Sequence, residues 1–213
     1  MVLKMKNKIA IIANGTVKDS EFHKKILENK DIIICADGGS NNAKKMEIIP
    51  DYIIGDLDST DSSTIDFFRD KGTKIIKDTN ENKTDLELAI SLAKTLDPSE
   101  IVIIGAFGDR IDHTLANIYC LSMIDSNIKA QIFDEKNVVE LFEDQIEIDG
   151  NKDDIISVIP ISDISDLNYE GFRWNLKNFN ANAGWFAISN KLVGKKGKLK
   201  LKDGKIIVVK SKE

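Results

Sequence analysis

The first two thirds of the chain alternate short runs of β-branched apolar residues with segments whose apolar positions recur at helical spacing. KIAIIA (8–13), IIICAD (32–37), DYIIG (51–55), TKIIK (73–77), EIVIIGAF (100–107) and KAQIFD (129–134) read as strands. Amphipathic segments at roughly 20–29, 40–47, 61–71, 84–96 and 113–124 read as the helices between them. Continuous Ile/Val runs belong to strands buried on both faces, so a mainly parallel sheet covered by helices is expected. Sheets of that kind bind ligands beyond the carboxyl ends of their strands.

After about residue 140 the pattern becomes short strands separated by turn signals: 155–161, 169–174, 184–189, 198–201 and 205–210, with no helical stretch. KDGK (202–205) carries the Asp-Gly pair of a two-residue hairpin. The expected fold class is α/β: an N-terminal mainly parallel α/β sheet domain over 1–140, followed by a small antiparallel β-sandwich domain over 141–213.

Composition narrows the class without naming a chemistry. Across 213 residues, 42% are hydrophobic and 31% charged, which is ordinary for a folded, water-exposed protein. The longest apolar runs are too short to cross a bilayer, and the basic start MVLKMKNK leads into no convincing cleavage site. A cytoplasmic protein without a membrane partner is expected. A net charge of −5 argues against nucleic acid as a partner. Nine lysines crowd the last 23 residues and read as the wet face of hairpins. Cys35 and Cys120 lie in apolar contexts without metal-ligand spacing and read as buried thiols.

The unusual acidic residues all fall just after strands: Asp37-Gly38-Gly39, Gly55-Asp56-Leu57-Asp58 and Gly108-Asp109-Arg110-Ile111-Asp112. Asp56 and Asp58 share a side if the chain stays extended, and two carboxylates with substrate phosphates suit Mg²⁺. The same DLDST also suits a phosphatase whose Asp56 attacks phosphorus. Thr84-x-x-Glu87 is a capping box, which puts Asp85 in the first helical turn, either as a dipole partner or as a third metal ligand. Arg110 can grip phosphate, Asp112 suits an N-cap, and His113 suits either a structural or an acid-base role. His23 reads as a surface residue, and Asn14-Gly15 as a plain turn rather than a phosphate loop.

Together, ADGGSNNA (36–43), PDYIIGDLDS (50–59), KTDLELAI (83–90), GAFGDRIDHTLANI (105–118), GFRWNL (171–176) and ISN (188–190) resemble, in order, the signatures of the thiamine pyrophosphokinase family. The resemblance covers most of the chain. It implies a homodimer with the substrate site near the interface, and transfer of a pyrophosphoryl group from ATP to the thiamine hydroxyl with release of AMP. It implies Mg²⁺ held by Asp56, Asp58 and Asp85, with Asp37 in the same acidic cluster. Asp37, Thr84, Arg110, Asp112 and the adjoining His113 are expected at the nucleotide; Ser189 and Asn190 are expected at thiamine. A cationic aromatic substrate also suits stacking on Trp174, Trp185, Phe172 or Phe186, although aromatics in a small β domain are more often core.

One segment departs from the family pattern. Asn80-Glu81-Asn82-Lys83 stands where an acidic residue, a Lys or Gln, and an Asp usually precede the Thr-Asp; Lys83 is the candidate substitute for a phosphate contact. Two rival readings share the fold: a pyrophosphokinase for another alcohol such as a hydroxymethylpterin, and a non-catalytic thiamine or nucleotide sensor.

Overall fold

The computed structural model describes residues 6–80 and 82–212; Glu81 and the first residues of the basic start lie outside the described residues. The chain forms two compact units that divide between Glu135 and Lys136.

In the first unit the elements follow the order β1 (Asn7–Ile12), α1 (Ser20–Leu27), β2 (Ile32–Ala36), α2 (Gly39–Lys45), β3 (Tyr52–Gly55) and α3 (Ser62–Asp70). They continue with β4 (Lys74–Lys77), α4 (Asp85–Thr95), β5 (Pro98–Ile104), α5 (Ile111–Tyr119) and β6 (Lys129–Phe133). The strands lie in the order β6-β5-β1-β2-β3-β4, each parallel to its neighbour. Alternate side chains bury opposite faces. Ala10, Ile12, Cys35, Ile53, Val102 and Ile104 pack with Leu27, Ala43, Met46, Ile65 and Phe68 of α1–α3 and their flanks. α4 packs against β1, β2, β3 and β5 and buries Leu86, Ala89, Ile90 and Ala93. Burial on both faces is why the central strands β1, β2, β3 and β5 read as Ile/Val-rich runs, whereas the edge strand β4 has no buried residue.

Strand order reverses between β1 and β5, and ligands of such sheets bind at that switch point, at the carboxyl edge. Gly15 permits a close approach there: a Cβ on it would fall 2.3 Å from the Phe107 carbonyl oxygen. The Gly15 and Thr16 N–H groups donate to the Gly105 and Phe107 carbonyls at 2.7 Å, and Asn42 Nδ2 donates to the carbonyls of Ala13 and Gly15. Asn14-Gly15 is therefore the expected turn, its neighbouring amides engaged by protein.

His23 is not a surface residue. It is fully buried, with Nδ1 2.8 Å from the Asp19 carbonyl and its ring edge-on to Phe22. Glu135 lies 3.6 Å from the same Nδ1 and accepts from the N–H groups of both Lys18 and Asp19, which ties the entry to α1 down beside the ring.

The second unit is a two-sheet sandwich. Its strands are β7 (Asn137–Phe142), β8 (Gln145–Asp149), β9 (Ile155–Pro160), β10 (Ile164–Glu170), β11 (Phe179–Ala181), β12 (Ala187–Lys191), β13 (Lys196–Lys200) and β14 (Ile206–Ser211). One antiparallel sheet runs β12-β9-β14-β7 and the other β11-β10-β13-β8. Their facing sides meet in one core that includes Phe142, Ile156, Leu167, Tyr169, Leu199 and Ile206.

Three expectations fail here for identifiable reasons. KDGK does not close a hairpin: β13 and β14 lie in different sheets, and residues 202–205 carry the chain across, tied to Ser165 through Lys202 and Asp203. The strand expected at 169–174 ends at Glu170, and the chain turns at Gly171. The strand expected at 184–189 starts instead at Ala187, because Trp185 sits in a turn against Phe179. The lysines nonetheless face water: in β13, Lys196, Lys198 and Lys200 are exposed, whereas Gly197 and Leu199 point inward.

Candidate functional site

At the carboxyl edge of the parallel sheet lies a cleft of about 840 Å³. Asn14 and Gly15 line it after β1, Asp56 and Ser59 after β3, and Asp78 and Asn80 after β4. Lys83, Thr84 and Asp85 come from the start of α4, and Gly108, Asp109, Arg110, His113 and Thr114 from the β5–α5 connection. Of the acidic residues read from the sequence, Asp37, Asp56 and Asp58 each bring one oxygen within 4.8 Å of the others.

Asp56 and Asp58 do not come together by strand alternation. β3 ends at Gly55, Leu57 takes a left-handed conformation at φ 68°, and the Asp58 N–H donates to Asp56 Oδ1 at 3.1 Å. A tight aspartate turn, not an extended chain, aims the two carboxylates. Leu57 anchors that turn by packing against the apolar layer under α2 and α3.

Asp85 lies beside the cluster, over Gly55. The capping box forms as the sequence implies: Thr84 Oγ1 accepts from the Glu87 N–H, and Glu87 Oε2 accepts from the Thr84 N–H at 2.7 Å. This starts α4 with Asp85 above β3. Partial burial, then the nearby carboxylates of Asp37, Asp56 and Asp58, raise its pKa to about 6; its own backbone amide opposes them. A cluster that makes ionisation of one member costly is a site that favours positive charge. Its donors are hard carboxylate oxygens, the set that Mg²⁺ takes.

Arg110 supplies a positive side chain. Its Nε donates to Asp112 Oδ1 at 3.2 Å and Nη2 to Oδ2, and this contact holds the Asp112 carboxyl down at about 2. Asp112 is thus an ion-pair partner, not the expected N-cap. The N-cap position belongs to Arg110, with no side-chain cap bond, and Asp112 lies in the first turn of α5. His113 lines the cleft from the same turn.

The second unit groups the other expected residues. Asn190 is buried, and its amide clamps the backbone of Trp174 from both sides: Nδ2 donates to the Trp174 carbonyl at 2.7 Å, and Oδ1 accepts the Trp174 N–H at 3.1 Å. Ser189, exposed at φ 61°, donates its N–H to Ser157 Oγ. Trp174 is 57% exposed and Phe186 60%, so neither is core, whereas Phe172 is buried. The Arg173 guanidinium lies 5.1 Å from the Trp174 ring centroid.

Sequence reasoning missed the residues that hold these groups: Ser40 and Thr60 behind Asp37, Asn42 behind the Asn14 turn, and Asp78 on the cleft wall. A buried hydroxyl or amide leaves no spacing signal, because its partner lies far along the chain.

Comparison with known proteins bears on both units. Residues 23–132 match the thiamin pyrophosphokinase catalytic domain, and residues 143–206 match the thiamin pyrophosphokinase vitamin B1 binding domain. A thiamine pyrophosphokinase from Bacillus subtilis is 34% identical over 185 residues, covering 84% of this chain and 86% of the relative. The crystal structure of thiamine pyrophosphokinase from Bacillus subtilis superposes with a TM-score of 0.85 at 28% identity, over 97% of this chain and 99% of that one. The yeast enzyme, at 21% identity and a TM-score of 0.78, covers 99% of this chain and 88% of its own, and shares the fold. Two matched domains in order and a relative similar over most of its length lead to one conclusion: the chain belongs to the thiamine pyrophosphokinase family.

Proposed function

We propose that the chain transfers the diphosphoryl group of ATP to the hydroxyl of thiamine, giving thiamine diphosphate and AMP. The observation that carries this reading is the grouping of Asp37, Asp56 and Asp58, coupled to Asp85, at a cleft that Asp56 and Asp85 line together with Thr84, Arg110 and His113. Attack of an alcohol on the β-phosphorus needs the polyphosphate charge neutralised and the nucleophile in line with the departing AMP oxygen. Mg²⁺ held by Asp56, Asp58 and Asp85, with Asp37 beside them, would supply most of that neutralisation. Arg110 is assigned to the phosphates, exchanging its contact with Asp112 for one with the nucleotide. Thr84, Asp112 and His113 are assigned to the same nucleotide region, and Asp85, whose pKa is raised, is assigned to take the alcohol proton.

In this reading residues 1–140 bind ATP and metal, and residues 141–213 bind thiamine through Trp174, Ser189 and Asn190. An exposed indole suits a cationic aromatic ring, and the Asn190 clamp fixes where that indole stands. Asn190→Ala is therefore expected to raise the thiamine KM roughly tenfold while the ATP KM changes less than about twofold, since one buried bidentate contact is lost. An equal rise in both constants would remove Asn190 from the thiamine side.

The working assembly is proposed to be a cytoplasmic homodimer. α5 leaves Ile111, Leu115 and Tyr119 exposed at a spacing of four residues, a row suited to a second copy. No helix among the described residues is long and apolar enough to cross a membrane. The hydroxymethylpterin and sensor readings are not favoured, since both units match thiamin pyrophosphokinase domains.

Incubation of the purified protein with ATP, Mg²⁺ and thiamine tests the proposal. Thiamine-dependent AMP together with thiamine diphosphate is expected. ADP in place of AMP, or phosphate trapped on Asp56 after quenching, would refute it; the latter would restore the phosphatase reading. Sedimentation of the same preparation should give the mass of two chains.

A further inference from the structure

Asp37 is 1% exposed and sits in a left-handed conformation at φ 38°, between the end of β2 and the start of α2. Such a residue stays in place only if its surroundings determine it. Its N–H donates to the Ile54 carbonyl at 2.9 Å, and its Oδ2 accepts the Ser59 N–H at 3.0 Å. Its Oδ1 accepts from Thr60 Oγ1 at 3.1 Å. Thr60 Oγ1 lies 2.9 Å from Ser40 Oγ, which donates back to the Asp37 carbonyl at 2.8 Å. Ser40 is fully buried and Thr60 is 8% exposed.

These contacts form a circuit between two segments 20 residues apart, in which the two hydroxyl protons serve two of the three contacts at a time. One segment carries Asp37; the other is the turn that carries Asp56 and Asp58. A carboxylate oxygen accepts more than one bond, so the circuit occupies part of Asp37 and leaves acceptor capacity toward the other two aspartates. We propose that the buried Ser40–Thr60 hydroxyl pair positions the cation site, holding the Asp37 carboxylate and, through it, the Asp56–Asp58 turn. Neither hydroxyl is a ligand in this account; both act through Asp37. The inference rests on the metal reading given above.

Binding of Mg²⁺ to the nucleotide-free protein, followed by calorimetry, tests it independently of turnover. Thr60→Val keeps the side-chain shape and removes the hydroxyl; it is expected to weaken Mg²⁺ roughly tenfold, as loss of a group supporting a ligand does. Thr60→Ser, which restores the hydroxyl, should stay within about twofold of the wild type. The rise in melting temperature produced by Mg²⁺ at one fixed concentration should shrink in Thr60→Val and not in Thr60→Ser. A folded Thr60→Val with wild-type Mg²⁺ affinity would overturn the proposal while leaving the metal reading in place. Should Thr60→Val fail to fold, Ser40→Ala serves instead: weakening of roughly threefold supports the circuit, and an unchanged affinity overturns it. A wild-type protein that takes up no Mg²⁺ would remove the metal reading and this inference together.

Discussion

Asp85→Asn is expected to cost at least roughly 10²-fold in turnover, the scale of losing one electrostatic contact to the reacting centre, and at the same time to stabilise the metal-free protein. The second half follows from charge. In the folded, metal-free chain Asp85 is half-buried and faces the carboxylates of Asp37, Asp56 and Asp58, so its pKa is raised from 3.8 to about 6. A carboxyl that holds its proton more tightly when folded makes ionisation a cost to folding. Stability from this group is intact below about pH 4 and is lost as pH rises toward 6. The full displacement would be worth about 3 kcal/mol; solvent screening at a half-exposed site brings it to about 1 kcal/mol. Thermal unfolding in chelator at pH 7 should therefore show Asn above Asp, and the difference should vanish at pH 4. Excess Mg²⁺ should reverse the order at pH 7. A variant that is destabilised in chelator at pH 7, or that turns over normally, would take Asp85 out of the acidic cluster.

Gly55→Ala should damage both the fold and the site. Gly55 closes β3 at φ +153°, and a Cβ there would lie 2.7 Å from the Asp37 Cβ and 2.7 Å from Asp85 Oδ1. The Asp37 Cβ cannot retreat cheaply, because the contacts behind it hold Asp37; the Asp85 carboxylate can swing aside, but that moves it from its place over β3. A loss of about 1–3 kcal/mol is expected from strain and overpacking, together with most of the AMP-forming activity. Gly72→Ala is the matched control, since it too has a positive φ but opens onto empty space. It should lose stability without losing activity per folded molecule. Wild-type activity in Gly55→Ala would mean that Asp37 and Asp85 need not approach each other over β3.

Much of the first unit was legible in the chain because its signals are local. Unbroken Ile/Val runs mark strands buried on both sides, and the reading of β1 to β6 agrees with the structure to within a few residues. The Thr84/Glu87 box marks the start of α4 because both partners lie within one helical turn. The second unit was harder. β10 has its register shift between Ile164 and Leu167, which breaks the two-residue alternation that would have revealed it. KDGK marked where β13 stops but not where the chain goes next, since a turn sequence specifies local dihedrals and not which sheet receives the chain.

The sequence by itself determined the inventory: acidic residues after consecutive strands, the capped helix that carries Asp85, and a run of motifs resembling one family. Tertiary structure alone decided how those groups meet. Asp56 and Asp58 face one another through a left-handed Leu57, Arg110 pairs with Asp112, His23 is buried, and Asn190 clamps Trp174 instead of standing free. The division has a physical reason. Propensity and periodicity act over one or two turns of chain, whereas the geometry of a site depends on hydrogen bonds and charges between segments separated by 20 residues or more, and only the packed fold brings those together.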